Sequence, residues 1–224
     1  MTRIGPRELI WWAQDYFYAS SAWIGSHLRR AGPDDYATGE LRPVVIVPGV
    51  YENWRFMWPV ITSLHKAGHP VHVLPGLGHN IAPIADGAKA LRTYLEDHEL
   101  RGVAVVAHSK GGLIGKLAMT AELAEDVRIA RVVAICTPFG GARLARYLPW
   151  PSLRPLVPGH PSLVELAAAQ AVNSRVTSIY GVFDPHIPEG SELPGATNIK
   201  LAVAGHFRIL SRPETREAVL TAVA

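Results

Sequence analysis

Val103-Ala104-Val105-Val106-Ala107-His108-Ser109-Lys110-Gly111-Gly112 is an apolar run that stops at a serine and passes to a glycine pair. Small and β-branched residues without polar alternation predict a strand buried on both faces. Leu113-Ile114-Gly115-Lys116-Leu117-Ala118-Met119 instead repeats its apolar residues at helical spacing. Ser109 therefore falls on a strand-to-helix turn. Such a turn lifts a hydroxyl out of the sheet and aims the next backbone N–H, that of Lys110, at charge developing on an attacked carbonyl. Ala107, Gly111 and Gly112 are small enough to let strand and helix approach closely. A serine before a glycine pair also arises by chance at strand ends, so its surroundings must decide. Phosphate-loop readings fail, because neither G-x-x-x-x-G-K-[ST] nor an early G-x-G-x-x-G is present.

Ala107-His108-Ser109-Lys110-Gly111 is the pattern G-x-S-x-G with Ala in the first place. Here the chain resembles the α/β-hydrolase superfamily, in particular small bacterial lipases and esterases, some of which carry Ala at that position. The resemblance covers roughly residues 42–224. It implies an α/β fold with a mostly parallel, doubly wound sheet flanked by helices and a minimal lid. One domain is expected over 1–224, with a catalytic core at 41–224 and a helical extension at 1–40.

The bulk properties suit such a domain. The chain has 224 residues, 48% hydrophobic and 18% charged, enough for a full core with little disordered tail. Its net charge of +3 is mild and its basic residues are scattered, so no nucleic-acid-binding stripe is expected. Cys136 is the only cysteine, which excludes an intrachain disulfide. It ends the predicted core strand Arg131–Cys136, where a buried small apolar role outweighs a nucleophilic one. No run approaches the ~18 apolar residues of a membrane span. Glu8, Gln14 and Asp15 interrupt any signal-peptide core, so a cytoplasmic location is expected.

Residues 6–30 read as one long helix, with Pro6 in the first turn and Gly32-Pro33 ending it. At about 100° per residue, Leu9, Trp12, Ala13, Tyr16, Phe17, Trp23, Ile24 and His27 share a face that should pack on the domain. Trp11 and Tyr18 then fall on the polar side with Gln14, Asp15 and Arg29. They either fill a groove or, with Arg3, Arg7, Arg29 and Arg30, make weak peripheral contact with a membrane through residues 6–30.

Val44-Val45-Ile46-Val47 is another apolar strand, followed by Pro48-Gly49-Val50-Tyr51 and a helix from about Asn53 to Lys66. This matches the superfamily's strand, oxyanion loop and first helix. The resemblance makes the Val50 N–H a second oxyanion donor beside Lys110. The superfamily's common His-Gly pair is Pro48-Gly49 here. Val71–Leu74 is a strand and Pro75–Asn80 its loop; a helix is expected over 84–98. After the strand through Cys136 comes Thr137-Pro138-Phe139-Gly140-Gly141, a loop also familiar from these lipases. Residues 142–161 form either a small flap or a proline-stiffened connection to a helix at 161–172. Tyr51, His79, His108 and Phe139 are candidates for lining the substrate site.

Arg175–Gly181 and Asn198–Val203 read as the last two strands. Asp184 follows the first of them and His206 the second, giving Ser109, Asp184 and His206 in the order this fold uses. Rival bases are His108, whose side chain points away from that of Ser109 on a sharp turn, and His186. Rival acids are Glu189 and Glu192. Serine needs a base and a group that orients the base, and these three residues supply both. The chemistry expected is hydrolysis of a hydrophobic acyl or lipid ester through an acyl-enzyme, with no metal or organic cofactor. Acyl transfer or thioester cleavage uses the same triad, and an inactive scaffold acting as a membrane or partner module is a third reading. Oligomeric state is not legible.

Overall fold

The structure, a computed structural model, describes residues 5–122 and 126–224. Arg3 lies outside them. Six parallel strands form one sheet: β1 (Val44–Val47), β2 (Val71–Val73), β3 (Val103–His108), β4 (Ile129–Ile135), β5 (Val176–Phe183) and β6 (Thr197–Ala204). Their spatial order is β2-β1-β3-β4-β5-β6. Chain direction across the sheet reverses between β1 and β3, and in open α/β sheets ligands bind outside the carboxyl ends at such a point. The turns after β1 and β3 carry Val50 and Ser109.

Apolar runs become strands here because both faces are covered. On one face Val103, Val105 and Ala107 of β3 meet Leu91 and Leu95 of α3 (Ile84–Asp97) and Leu113 and Ile114 of α4 (Lys110–Thr120). On the other, Ala104 and Val106 meet Ile61 and Leu64 of α2 (Trp58–Lys66) and Val219 and Val223 of α6 (Pro213–Val223). The expected helix from Asn53 opens as a 3-10 turn at Trp54–Met57, because Asn53 caps Arg55 N–H and Pro59 starts α2 proper. β4 stops at Ile135, one residue before Cys136, whose φ of 48° leaves the strand conformation. Residues 142–161 fold as two 3-10 segments, Arg143–Tyr147 and Pro151–Leu156, before α5 (Pro161–Ala168). Leu153 and Leu156 anchor them in the core, while Tyr147 and Trp150 stay exposed.

The N-terminal helix, α1 (Pro6–Leu28), overturns the expected orientation. Phe17 is 79% exposed and Leu28 74%, and Leu9, Trp12, Tyr16, Trp23 and Ile24 are exposed with them. Inward go Asp15, Ser26, Trp11 against Phe183 and Tyr18 against Phe56, with Ala19 and Ala22 letting the helix lie close. The physical reason is the surface α1 meets. It presents backbone N–H groups and the amide of Asn53, which bonds Ser26 Oγ, so it must be covered by acceptors rather than by hydrocarbon.

Candidate functional site

Ser109 joins β3 to α4 with φ 51° and ψ −122°. That conformation costs a non-glycine residue about 1–3 kcal/mol. It is held by the Ser109 N–H donating to Ile135 O (2.8 Å) and by Thr137 Oγ1 donating to Ser109 O (2.9 Å). A Cβ at Gly111 would lie 2.2 Å from Val47 O, so only glycine lets α4 begin this close to β1. The N–H groups of Val50 and Lys110 take no other acceptor among the described residues. Val50 is followed by Tyr51 at φ 64°, whose N–H donates to His79 O (2.7 Å).

His206 lies in the loop after β6. Its Nδ1 bonds Asp184 Oδ2 at 2.7 Å, and both side chains are buried. Asp184 Oδ1 also accepts the N–H groups of His186 (2.8 Å) and Ile187 (3.0 Å). Burial alone would raise the Asp184 pKa, but the His206 charge and these donors hold it down at about 2. Burial would likewise lower His206, yet Asp184, with Asp15 and Glu52 behind it, keeps it above its ordinary value. His186 pairs with none of these carboxylates through its ring. Burial and the neighbouring His206 push it down to about 3, and its Nε2 has no partner among the described residues. Glu189 is drawn off to Arg143. Among the described residues no hydrogen bond joins Ser109 Oγ to His206, a looseness common before substrate closes such a site. Cys136 Sγ, an Asp184 oxygen and a His206 nitrogen lie within 4.8 Å of one another, the spacing of a metal site. Burial and then Asp184 push the Cys136 thiol well up.

Two buried carboxylates that the sequence reading did not assign complete the site. Asp15 of α1 accepts the N–H groups of His206 (3.0 Å), Phe207 (2.9 Å) and Arg208 (2.8 Å), clamping the histidine loop. Glu52 accepts Gly49 N–H (2.8 Å) and meets His108 Nδ1 (2.8 Å), while His108 Nε2 donates to His206 O (3.0 Å). Both His108 nitrogens thus face acceptors, which calls for a proton on each or a protonated Glu52. The result ties the loop after β1, the end of β3 and the histidine loop together. An acid just past Pro48-Gly49 and a histidine just before Ser109 were the available signal for it.

The other candidates divide. Tyr51 is half exposed, packs on Trp150 (6.1 Å) and hydrogen-bonds Ser152, so it borders the mouth. His108 is fully buried and Phe139 belongs to the core, so neither lines an open site. His79 is exposed but stacks on His27 of α1, ring centroids 5.5 Å apart. The Lys110 side chain is buried, with Nζ donating to Asn80 O (2.8 Å) and to Ala82 O. Two loop carbonyls without strand partners attract it, and burial lowers its pKa to about 8.

No family model matches the chain, and no curated protein matches its sequence. Solved structures do. A monoacylglycerol lipase of Paleococcus ferrophilus is 19% identical, with a TM-score of 0.60 over 84% of this chain and 96% of that one. The fold is that of the α/β-hydrolases. The mature lipase BlEst2 of Bacillus licheniformis is 18% identical (TM-score 0.62, 86% of this chain and 95% of that one). A putative non-heme bromoperoxidase of Mycobacterium tuberculosis, BpoC, is 17% identical (TM-score 0.62, 83% and 92%). These neighbours carry different names on one fold, so the likeness shows the fold and not an activity.

Proposed function

We propose that this α/β-hydrolase is a serine hydrolase of hydrophobic carboxylic esters. The observation that carries the reading is the buried 2.7 Å bond from His206 to Asp184, set beside a serine held at positive φ on the β3–α4 turn. Ser109 Oγ attacks the ester carbonyl as His206 Nε2 takes its proton, and Asp184 holds the tautomer that leaves Nε2 free. The N–H groups of Val50 and Lys110 receive the oxyanion. His206 returns the proton to the leaving alkoxide, and water, activated by the same nitrogen, releases the acid and restores the serine. A mouth bordered by Tyr51 and Trp150 suits an apolar acyl or alcohol group. Lipases among the structural neighbours support this choice.

A fluorophosphonate probe followed by peptide mass analysis tests the reading, together with p-nitrophenyl esters from acetate to palmitate. Stoichiometric labelling of Ser109 and hydrolysis that favours longer chains are expected. A folded protein that neither labels nor hydrolyses any ester would overturn it.

A further inference from the structure

The exposed face of α1 presents Ile10, Trp12, Phe17, Trp23, Ile24 and Leu28 to solvent along the whole helix. Single exposed apolar residues are ordinary, but a stripe of this length is not. The face carries no free acid: Glu8 bonds Gly5 N–H (3.0 Å) and Asp15 points inward. Arg7 and Arg30 lie exposed near the two ends of the helix. A second patch repeats the chemistry, since residues 142–164 contain no Asp or Glu and expose Leu144, Tyr147 and Trp150 among Arg143, Arg146 and Arg154. The patches meet at the mouth of the site. His27 stacks on His79, the His79 carbonyl accepts Tyr51 N–H, and Tyr51 packs on Trp150.

We propose that this surface seats the protein on a bilayer containing anionic lipid, with α1 lying in the interface plane and the Ser109 mouth facing the membrane. Apolar rings and aliphatic side chains flanked by arginines fit the headgroup–acyl boundary. A second copy fits poorly, because a two-fold contact would set the arginines of the acid-free segment 142–164 against those of the other copy. The helix lies on the bilayer rather than spanning it: among the described residues no helix is long and apolar enough to cross a membrane. Binding is independent of the ester-hydrolase reading, since it uses none of the catalytic groups.

Co-sedimentation with vesicles of phosphatidylcholine, with and without phosphatidylglycerol, tests it. Wild type and Ser109→Ala should bind the anionic vesicles equally and weaken as salt rises. Phe17→Ser/Ile24→Ser, which alters only exposed side chains and should melt like wild type, should bind at least about tenfold more weakly. Absence of binding to anionic vesicles at low salt, unchanged binding by the double variant, or equal binding to pure phosphatidylcholine overturns the proposal. So does a wild-type dimer, seen by light scattering, that the double variant disperses.

Discussion

The serine and the histidine of this site are positioned by different means. Ser109 is placed by its own strand and helix, with hydrogen bonds to Gly112 of α4, to Ile135 at the end of β4 and to Thr137 just beyond. His206 sits in a loop whose backbone is clamped by Asp15 from α1 and whose ring is held by Asp184. The nucleophile is thus a local construction and the base a long-range one. Damage far from the chemistry, in the N-terminal helix, should therefore reach the histidine and spare the serine.

The sharpest break of the comparison removes the groups themselves. Ser109→Ala or His206→Ala should each lower ester turnover more than about a thousandfold while the protein stays folded, and Asp184→Asn should cost a similar or smaller factor. If His186→Ala abolished turnover and His206→Ala did not, the base would be misassigned. Next comes Asp15→Ala. Freeing three N–H groups of the histidine loop should let the loop drift and lower kcat by about 10- to 100-fold, with KM little changed and fluorophosphonate access to Ser109 retained. A folded Asp15→Ala enzyme with wild-type kcat would show that the loop holds itself, and the contrast would collapse.

The pH profile sharpens the same point. His206 must be neutral to accept the serine proton, and its pKa is raised by Asp184 despite burial. Turnover should therefore fall as pH drops through a midpoint above the ordinary histidine value of 6.5, and Asp184→Asn should move that midpoint down. The sign for stability is opposite. The His206–Asp184 contribution is fully present between the unfolded values of 3.8 and 6.5, and is lost as pH rises through the raised His206 value or falls through the lowered Asp184 value, a trend that chemical denaturation of wild type against Asp184→Asn would measure.

The smallest effect belongs to the serine side. Lys110→Met should leave two loop carbonyls unpaired and lower stability by about 1–3 kcal/mol, with less than about a tenfold loss of turnover. Because burial lowers Lys110 to about 8, its folded form sheds a proton that the unfolded chain keeps up to 10.5. Wild type should therefore gain stability over Lys110→Met between those pH values, by thermal melting. A gap independent of pH would place the ammonium in water after all.

Much of this was legible. The strands at 44–47 and 103–108, the turn at Ser109 and the Asp184 and His206 loops follow from apolar runs and their punctuation. What escaped was partnership across the chain. Hydrophobic periodicity says which face of α1 is apolar, not which face is covered. Here the covered face is the one whose Asp15 meets three N–H donors of the histidine loop. Lys110 escaped for the same reason, since its acceptors are carbonyls of residues 80 and 82 and carry no side-chain signal. His108 and Glu52 were readable singly as ionisable residues at strand ends, but not as a pair 56 residues apart.

The clamp on the histidine loop also sets an order of events during folding. Asp15 and His206 are 191 residues apart, whereas Thr137, which holds the Ser109 turn, is 28 residues from it. Contacts of such separation form late, because the chain between them must already be ordered. On refolding from denaturant, helical circular dichroism should recover before fluorophosphonate reactivity does, and Asp15→Ala should shorten that lag even as it weakens the finished enzyme. The slowest step to activity is then the docking of a helix that takes no part in the reaction.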